Sequence, residues 1–150
     1  MALNSDREQP IEISADAGMV NEAAGISTYS GNVAIDQGSM HIAADEVEVV
    51  ITDKQVVQII ARSLPESKDL ARYEHLPDKA DTPVFAEARL ITYLVQEERL
   101  QLAGQARLQQ IQDSFSGELL SYDVNRGIVD LKSGNGEGDR IKMTISPKLQ

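Results

Sequence analysis

The stretch Ser30-Gly31-Asn32-Val33-Ala34-Ile35-Asp36-Gln37-Gly38-Ser39-Met40-His41-Ile42-Ala43 decides the fold class. Its two halves, Val33 to Asp36 and Met40 to Ala43, alternate in a period of two and are separated by the turn signal Gln37-Gly38-Ser39. Successive side chains of a strand point to opposite faces, so this period predicts strands with one buried face. The stretch therefore predicts short β-strands separated by tight turns.

The same alternation recurs along most of the chain. It is found in Ile11-Glu12-Ile13-Ser14, Ile91-Thr92-Tyr93-Leu94-Val95, Leu100-Gln101-Leu102, Tyr122-Asp123-Val124, Val129-Asp130-Leu131 and Ile141-Lys142-Met143-Thr144-Ile145. Further turn signals are Asp16-Ala17-Gly18, Ser30-Gly31-Asn32, Asn125-Arg126-Gly127 and Ser133-Gly134-Asn135-Gly136. One strand and turn per roughly 8–12 residues is typical of all-β proteins. The sequence predicts an all-β domain of roughly 12–17 short antiparallel strands.

Two segments leave the secondary structure open. A short helix is possible around Ser5 to Gln9. A second is possible from Pro65 to Leu76, where Leu70, Tyr73 and Leu76 recur three residues apart. The alternative for the second segment is a short strand from Leu70 to His75, followed by a polar loop.

Composition restricts the class of protein. The chain has 150 residues, 41% of them hydrophobic, which suits one domain with an aliphatic core. Because there is no cysteine, disulfides, zinc knuckles and thiol nucleophiles are excluded. No apolar run approaches the roughly 20 residues that span a bilayer, and the start lacks a signal-peptide pattern. We expect a soluble protein whose signal peptide, if it is exported, has been removed.

The charge of −10 is concentrated near the N-terminus, because no basic residue occurs between Arg7 and Lys54. Such a surface repels phosphate backbones, so nucleic acid is not an expected partner. The acidic segment serves either solubility or electrostatic steering towards a basic partner.

No catalytic or metal-binding pattern is present. His41 and His75 lie outside any ligand spacing such as H-E-x-x-H, and Asp45-Glu46-Val47-Glu48 has the alternation of a strand. The glycine-rich run from Gly134 to Asp139 occurs once and fits a hairpin loop better than a phosphate or calcium loop. We therefore expect no enzymatic activity, no metal and no cofactor, and infer a binding function.

A weak internal duplication organises the chain. At an offset of 73 residues, Pro10-Ile11 aligns with Pro83-Val84 and Ser30-Gly31-Asn32-Val33 with Ala103-Gly104-Gln105-Ala106. Two inserted residues then bring Gln37-Gly38-Ser39 onto Gln112-Asp113-Ser114. We expect an N-terminal tail or short helix (1–8), a domain (9–146) of two similar halves (about 10–82 and 83–146) and a C-terminal tail (147–150). Stacked units of this kind are open at both ends.

A family resemblance follows from an ordered set of motifs. They are Gln9-Pro10-Ile11-Glu12-Ile13-Ser14-Ala15-Asp16, Tyr29-Ser30-Gly31-Asn32-Val33-Ala34-Ile35-Asp36-Gln37-Gly38-Ser39, Ile42-Ala43-Ala44-Asp45-Glu46-Val47, Ala86-Glu87-Ala88-Arg89-Leu90-Ile91-Thr92-Tyr93, Leu102-Ala103-Gly104-Gln105-Ala106 and Phe115-Ser116-Gly117-Glu118-Leu119-Leu120-Ser121-Tyr122. In order and spacing the chain resembles the OstA-like family of periplasmic lipopolysaccharide-transport bridge proteins of the LptA type. The resemblance covers about residues 9–146, with a departure between Ser63 and Thr82.

The resemblance implies a twisted, V-shaped β-jellyroll with an apolar groove that shields the acyl chains of lipid A. It also implies a periplasmic location and passage of lipopolysaccharide from the inner to the outer membrane. The implied partners are lipopolysaccharide, the inner-membrane-anchored jellyroll LptC, the periplasmic domain of the outer-membrane translocon LptD, and further copies joined head to tail.

The alternation predicts which residues line the groove. They are Ile11, Ile13, Tyr29, Val33, Ile35, Met40, Ile42, Val47, Val49, Ile51, Ile91, Tyr93, Val95, Leu100, Leu102, Tyr122, Val124, Val129, Leu131, Ile141, Met143 and Ile145. Edge-strand docking is expected at Ile11, Glu12, Ile13, Ser14 and Ala15 and at Ile141, Lys142, Met143, Thr144 and Ile145.

Three alternatives stay open at this point. One is a closed β-roll, serving as a structural or interaction module, in which the same residues fill a core. Another is the related jellyroll domain of a transport partner. The third is a β-helix carbohydrate-active enzyme, disfavoured because the chain has no Trp to form a sugar platform.

Overall fold

A computed structural model describes residues 9–77, 82–110, 113–133 and 140–145. Within them lie twelve antiparallel strands, which confirms the all-β prediction. The strands are β1 (Glu12–Ser14), β2 (Ala17–Asn21), β3 (Ile26–Gln37), β4 (Met40–Thr52), β5 (Gln55–Arg62), β6 (Ala71–His75), β7 (Val84–Ala88), β8 (Leu90–Leu94), β9 (Arg99–Gln110), β10 (Asp113–Asp123), β11 (Ile128–Lys132) and β12 (Lys142–Thr144). The expected tails, 1–8 and 147–150, lie outside the described residues.

Four long strands, β3, β4, β9 and β10, each take part in two layers of the sheet. The first layer runs in the order β2, β3, β4, β5, β8, β9, β10, β11. The second layer runs β1, β3, β4, β6, β7, β9, β10, β12. The early part of β3 and the late part of β4 belong to the first layer, and their remaining parts belong to the second. The sheet is thus folded over on itself, with one inner face.

The sheet folds over at β-bulges in β3 and β9, whose residues have positive φ angles. In β3 the register with β4 shifts between Ser30 and Val33, and Gly31 and Asn32 have φ angles of 82° and 49°. In β9 the corresponding pair, Gly104 and Gln105, has φ angles of 81° and 53°. A bulge adds a residue to one strand and bends it. The prediction of a turn at Ser30-Gly31-Asn32 was therefore wrong, since the chain stays in one strand and changes layer there.

The short β1–β2 and β7–β8 connections each cross one of these bulges. The Asp16 N–H, between β1 and β2, donates a 2.9 Å hydrogen bond to the Gly31 carbonyl. The Arg89 N–H, between β7 and β8, donates a 2.8 Å hydrogen bond to the Gly104 carbonyl. A Cβ on either glycine would lie 2.5 Å from the Asp16 carboxylate or 2.8 Å from Arg89 Cβ. Only glycine allows this approach.

The strands recur at the offset seen in the sequence. Strands β8, β9 and β10 begin 73 residues after β2, β3 and β4 respectively. The β3–β4 hairpin pairs Gln37 with Met40, and the β9–β10 hairpin pairs Gln110 with Asp113. The offset of 73 therefore continues across the hairpin. The two inserted residues expected at this point were therefore wrong. Gln112, which that alignment used, lies outside the described residues.

The second uncertain segment contains a strand. β6, Ala71–His75, has buried Ala71, Tyr73 and His75 alternating with Arg72 and Glu74, so the short-strand alternative is confirmed and the helix was wrong. The three-residue recurrence of Leu70, Tyr73 and Leu76 was coincidental, because the strand period places only Tyr73 in the core.

Two further turn signals have different outcomes. Asp16-Ala17-Gly18 is only partly a turn, because β2 begins at Ala17, whereas Asn125-Arg126-Gly127 forms the β10–β11 turn as predicted. The possible helix around Ser5 to Gln9 lies outside the described residues except for Gln9, and the hairpin loop at 134–139 lies wholly outside them.

Replacing Gly104 by Ala is expected to lower the free energy of unfolding by about 2–5 kcal/mol. A left-handed non-glycine residue costs about 1–2 kcal/mol, and the new Cβ also displaces Arg89, a packing cost of about 1–3 kcal/mol. Gly127→Ala is the matched control, since Gly127 has φ 71° but nothing within 4 Å of its would-be Cβ. Urea unfolding measures both variants, and equal losses would show that the close contact with Arg89 contributes nothing.

Candidate functional site

The space between the two layers is lined by aliphatic side chains. The inner residues of both layers form one cluster, and its largest fully buried members include Ile35, Ile42, Ile59, Leu102 and Leu108. Ser27 and His75 are buried polar residues of the described part of the chain. A surface of this kind offers dispersion contacts and no charge, which suits hydrocarbon and not a reacting substrate.

Aromatic rings lie at one position within this interior. The Tyr73 ring contacts the tilted Tyr93 ring, with a centroid separation of 5.8 Å, and the His75 ring edge to face at 5.4 Å. Further along, burial raises the pKa of the Tyr122 hydroxyl above its usual 10.0, while a hydrogen bond with the Gln110 side chain acts in the opposite direction. Tyr122 therefore stays neutral at physiological pH, and the interior keeps its apolar character.

A cavity of about 420 Å³ opens into the interior on the side away from the bulges. We call it the mouth cavity. Both layers contribute to it, and its lining is Gln9, Ile11, Gln37, Lys54, Gln55, Val56, Ile59, Tyr93, Val95 and Gln96. The apolar members are Val56 and Ile59 of β5, Tyr93 of β8, Val95 directly after β8 and Ile11 before β1. The polar members lie at strand ends, in turns and, in the case of Gln9, before β1. An apolar floor with a polar rim suits an amphipathic ligand.

Lys54 is the basic residue on this rim. It lies in the β4–β5 turn, where Asp53 and Lys54 have φ angles of 52° and 64°. This tight turn presents an exposed ammonium group beside four glutamine side chains. The rim can therefore attract an anionic head group while the floor takes hydrocarbon.

The structure brings most of the nominated groove residues together. Buried in the common core are Val33, Ile35, Met40, Ile42, Val47, Val49, Ile91, Tyr93, Leu100, Leu102, Tyr122 and Val124. Partly buried and packed against it are Ile11, Ile13, Tyr29, Ile51, Val95, Val129 and Leu131. Three further nominated residues are not members of this cluster and have 45%, 52% and 66% of their surfaces exposed: Ile141, Met143 and Ile145. Contact of any of these residues with lipid stays a prediction.

Sequence reasoning missed several inner residues. Val56 and Ile59 lie in β5, Gln55–Arg62, where Val57 and Ile60 on the other face hide the period of two. Tyr73, by contrast, alternates with charged Arg72 and Glu74, a signal that was available. Others missed are Ala61, Ala71, Val84, Ala86, Ala88, Ala106, Leu108 and Leu120.

The nominated docking strands lie at the ends of the second layer. β1 pairs with β3, and β12 pairs with β10, each on one side among the described residues. β2 and β11 occupy the corresponding ends of the first layer. The docking role itself stays a prediction.

The outer face of the described strands carries one histidine–carboxylate contact. His41 contacts the Asp36 carboxylate across the β3–β4 hairpin, and both side chains are about half exposed. Across the part of the chain that the structure describes, no three His, Asp or Glu side chains are grouped to hold a metal ion. In the same residues, no helix has the length and apolarity that a membrane crossing requires.

Comparisons with known proteins agree with this architecture. Residues 12–128 match the family described as "LptA/(LptD N-terminal domain) LPS transport protein". The lipopolysaccharide export system protein LptH of Pseudomonas aeruginosa is 31% identical over 153 residues, covering 99% of this chain and 85% of that protein. LptA of Haemophilus influenzae is 29% identical, covering 99% and 84%.

The fold is also found in a solved structure. The crystal structure of the periplasmic component LptH from Pseudomonas aeruginosa superimposes with a TM-score of 0.84 at 31% identity, covering 95% of this chain and 99% of that one. The folded-over sheet, its aliphatic inner face and the match over most of the length lead to one conclusion: this chain belongs to the family of LptA-like and LptD N-terminal-domain lipopolysaccharide transport proteins.

Proposed function

We propose that this protein binds lipopolysaccharide in the periplasm and passes it from the inner towards the outer membrane without chemical change. The observation that carries the proposal is the mouth cavity, an opening between two aliphatic layers in a chain whose relatives are lipopolysaccharide export proteins. The acyl chains of lipid A lie against Val56, Ile59 and Tyr93, and the sugars and phosphates stay at the rim.

The affinity comes from burial of hydrocarbon. Each methylene removed from water contributes about 0.8 kcal/mol, so a chain of about twelve carbons gains up to about 10 kcal/mol. The protein and lipid A are both anionic, and the net charge of −10 opposes their approach. The apolar floor therefore supplies the attraction, and Lys54 reduces the repulsion locally.

Movement of the lipid needs no turnover chemistry at this site. Successive apolar surfaces of similar character bind an acyl chain with similar free energy, so the lipid meets no deep trap between them. The energy for directed transport is supplied elsewhere, by an ATPase at the inner membrane. We propose LptC and the periplasmic domain of LptD as the partners at the two ends, with further copies of this chain between them.

The competing function is a closed structural roll. One observation favours it: Ile35, Leu100 and Leu108, deep between the layers, have 0% of their surfaces exposed. In a closed roll these side chains never leave one another, whereas in a lipid carrier the layers part at the mouth to admit acyl chains.

Photocrosslinking separates these functions. A photoreactive phenylalanine derivative at Tyr93 or Val95, both on the mouth cavity, is expected to crosslink lipopolysaccharide, and excess unlabelled lipopolysaccharide should abolish the product. The matched control is Thr92, which neighbours Tyr93 in β8 but faces the outer side of the sheet. Crosslinks at neither Tyr93 nor Val95 in folded protein would leave the closed roll as the better account.

Lys54→Glu is expected to weaken lipopolysaccharide binding about two- to fivefold at low salt, because an exposed charge contributes only modestly. The difference should shrink as salt screens the interaction. Lys68→Glu makes the same change of charge in the loop between β5 and β6, away from the mouth cavity, and Lys54→Arg retains the charge. Equal weakening by both Glu variants would show that only the net charge matters.

A further inference from the structure

The outer face of the first layer carries two rows of side chains that cross all of its strands. Residues directly opposite each other in a ladder lie side by side on one face, so the strand pairings define the rows. The first row is Ala17, Ser30, Glu46, Arg62, Leu90, Ala103, Leu119 and Lys132. The second row, two residues away on each strand, is Met19, Thr28, Glu48, Ile60, Thr92, Gln101, Ser121 and Asp130. Both rows alternate with inner residues such as Ile91, Leu102 and Leu120, and they therefore face outward.

A depression of about 280 Å³ lies on this face where β8, β9, β10 and β11 run side by side. We call it the outer depression. Leu90 and Leu119 are 37% and 45% exposed, and with the smaller Ala103 between them they form an apolar strip across three strands. Its border is polar, and consists of Thr92, Gln101 and Ser121 beside the strip and Asp130 and Lys132 at its β11 end. An apolar strip with a polar border suits a small amphipathic ligand.

The chain contains such a depression twice. We call β1–β6 the N-terminal half and β7–β12 the C-terminal half. The depression of the N-terminal half, about 390 Å³, lies 73 residues earlier, on β2, β3 and β4. It has Glu46 where the outer depression has Leu119, and Ala17 where the outer depression has Leu90. Since the N-terminal half folds with Glu46 and Ala17, the fold itself does not require the two exposed leucines.

We propose that the outer depression binds a fatty acid of about twelve carbons. Its hydrocarbon chain lies across the strands, over Leu90, Ala103 and Leu119, and its carboxylate lies beside the Lys132 ammonium group. This is a second ligand site on the opposite face of the sheet from the aliphatic interior. It does not depend on lipopolysaccharide binding in the mouth cavity.

The dimensions of the strip suit one extended hydrocarbon chain. Three strand spacings separate β8 from β11, a distance of about 14 Å. An extended chain advances about 1.2 Å per bond, so twelve carbons extend about 13 Å. The apolar strip is one residue wide on each strand, and Ala103 lowers its middle below the flanking leucines. A single acyl chain can therefore contact Leu90 and Leu119 at the same time.

The hydrogen bonding of these strands disfavours a peptide as the occupant. Within the first layer β8 pairs with β5 and β9, β9 with β8 and β10, and β10 with β9 and β11. Their backbone N–H and C=O groups are already used on both sides, so no further strand can add to the sheet here. A ligand of the outer depression has side chains alone to bind, and the apolar ones suit hydrocarbon.

Charge favours an anionic head group at the end of the strip. The chain as a whole has a charge of −10, yet the strip lies between two cations. Arg62 lies opposite Leu90, and Lys132 lies opposite Leu119. Arg62 also lies opposite Glu46, whereas Lys132 lines the outer depression itself. The carboxylate of the fatty acid is therefore assigned to Lys132.

Methyl NMR of the whole chain tests the site. Dodecanoate, kept below its micelle concentration, is expected to shift the methyl signals of Leu90, Ala103 and Leu119 in a saturable way. Leu119→Glu installs the residue of the N-terminal half, and it should raise the dissociation constant read from Leu90 about tenfold or more, because an apolar contact is lost and an acid is added. The matched control is Ile128→Glu, at an exposed residue of β11 outside the lining, which should change the constant less than about twofold.

Two charge variants test the position of the head group. Lys132→Gln is expected to weaken dodecanoate binding about two- to fivefold, and Asp130→Asn is expected to strengthen it, since an exposed charge contributes modestly. Dodecyltrimethylammonium, which has the same chain and a positive head group, should respond to both variants in the opposite directions. Equal responses of the two ligands would overturn the assignment of the carboxylate to Lys132.

The reciprocal change should create a site in the N-terminal half. Ala17→Leu combined with Glu46→Leu gives that depression the apolar residues of its counterpart, beside Arg62 in the place of Lys132. Dodecanoate should then shift the methyl signal of Met19, which lines that depression, although it does not do so in the unchanged chain. Circular dichroism verifies that every variant is folded.

The remaining outcomes overturn the proposal. Unshifted Leu90 and Leu119 signals at high dodecanoate concentration would show that the outer depression binds no fatty acid, and equal weakening by Leu119→Glu and Ile128→Glu would place the ligand elsewhere. Signals that shift with protein concentration alone would mean that a second copy covers this face. Ile59 reports on the mouth cavity separately, so binding seen at Ile59 alone would contradict the outer site and leave the proposed function intact.

Discussion

The architecture depends on two strands, β3 and β9, each of which bends at a pair of residues with positive φ angles and stays paired with its neighbours on both sides of the bend. Gly31-Asn32 in β3 and Gly104-Gln105 in β9 do this, and each is held by a backbone hydrogen bond from the connection that crosses it. Without these bends the sheet would have one wet apolar face. With them, the apolar face is folded against itself. The bends lie along one side of the molecule, and the mouth cavity lies on the opposite side.

An aliphatic interior of this kind suits a carrier because its attraction has no direction. Hydrocarbon gains free energy in proportion to the apolar area that it covers, so an acyl chain can slide without breaking specific bonds. Tyr122, whose pKa is raised by burial, stays uncharged inside. The polar groups beside the mouth cavity are instead at its rim, where Lys54 and four glutamines lie.

Much of this structure was predictable from the sequence because one face of each strand is buried and the other is solvated. For this reason, nineteen of the twenty-two groove residues predicted from alternation belong to the one interior cluster. It failed for β5, which is apolar on both faces, and it split β3 at Ser30-Gly31-Asn32, because glycine and asparagine signal a turn and a left-handed bulge equally well. It also could not reveal the mouth cavity, whose lining comes from both layers and from turns far apart in the chain. Met143 is exposed in β12, which pairs with β10 alone among the described strands, and no local pattern contains this fact.

The regular spacing of paired strands also fixes the length of the molecule across its strands. Neighbouring strands are about 4.8 Å apart, so eight strands in each layer extend about 38 Å across the strands, and each half contributes about 19 Å. In the proposed bridge, each copy of this chain would therefore add a fixed length, which is set by the spacing of its strands and not by a flexible linker.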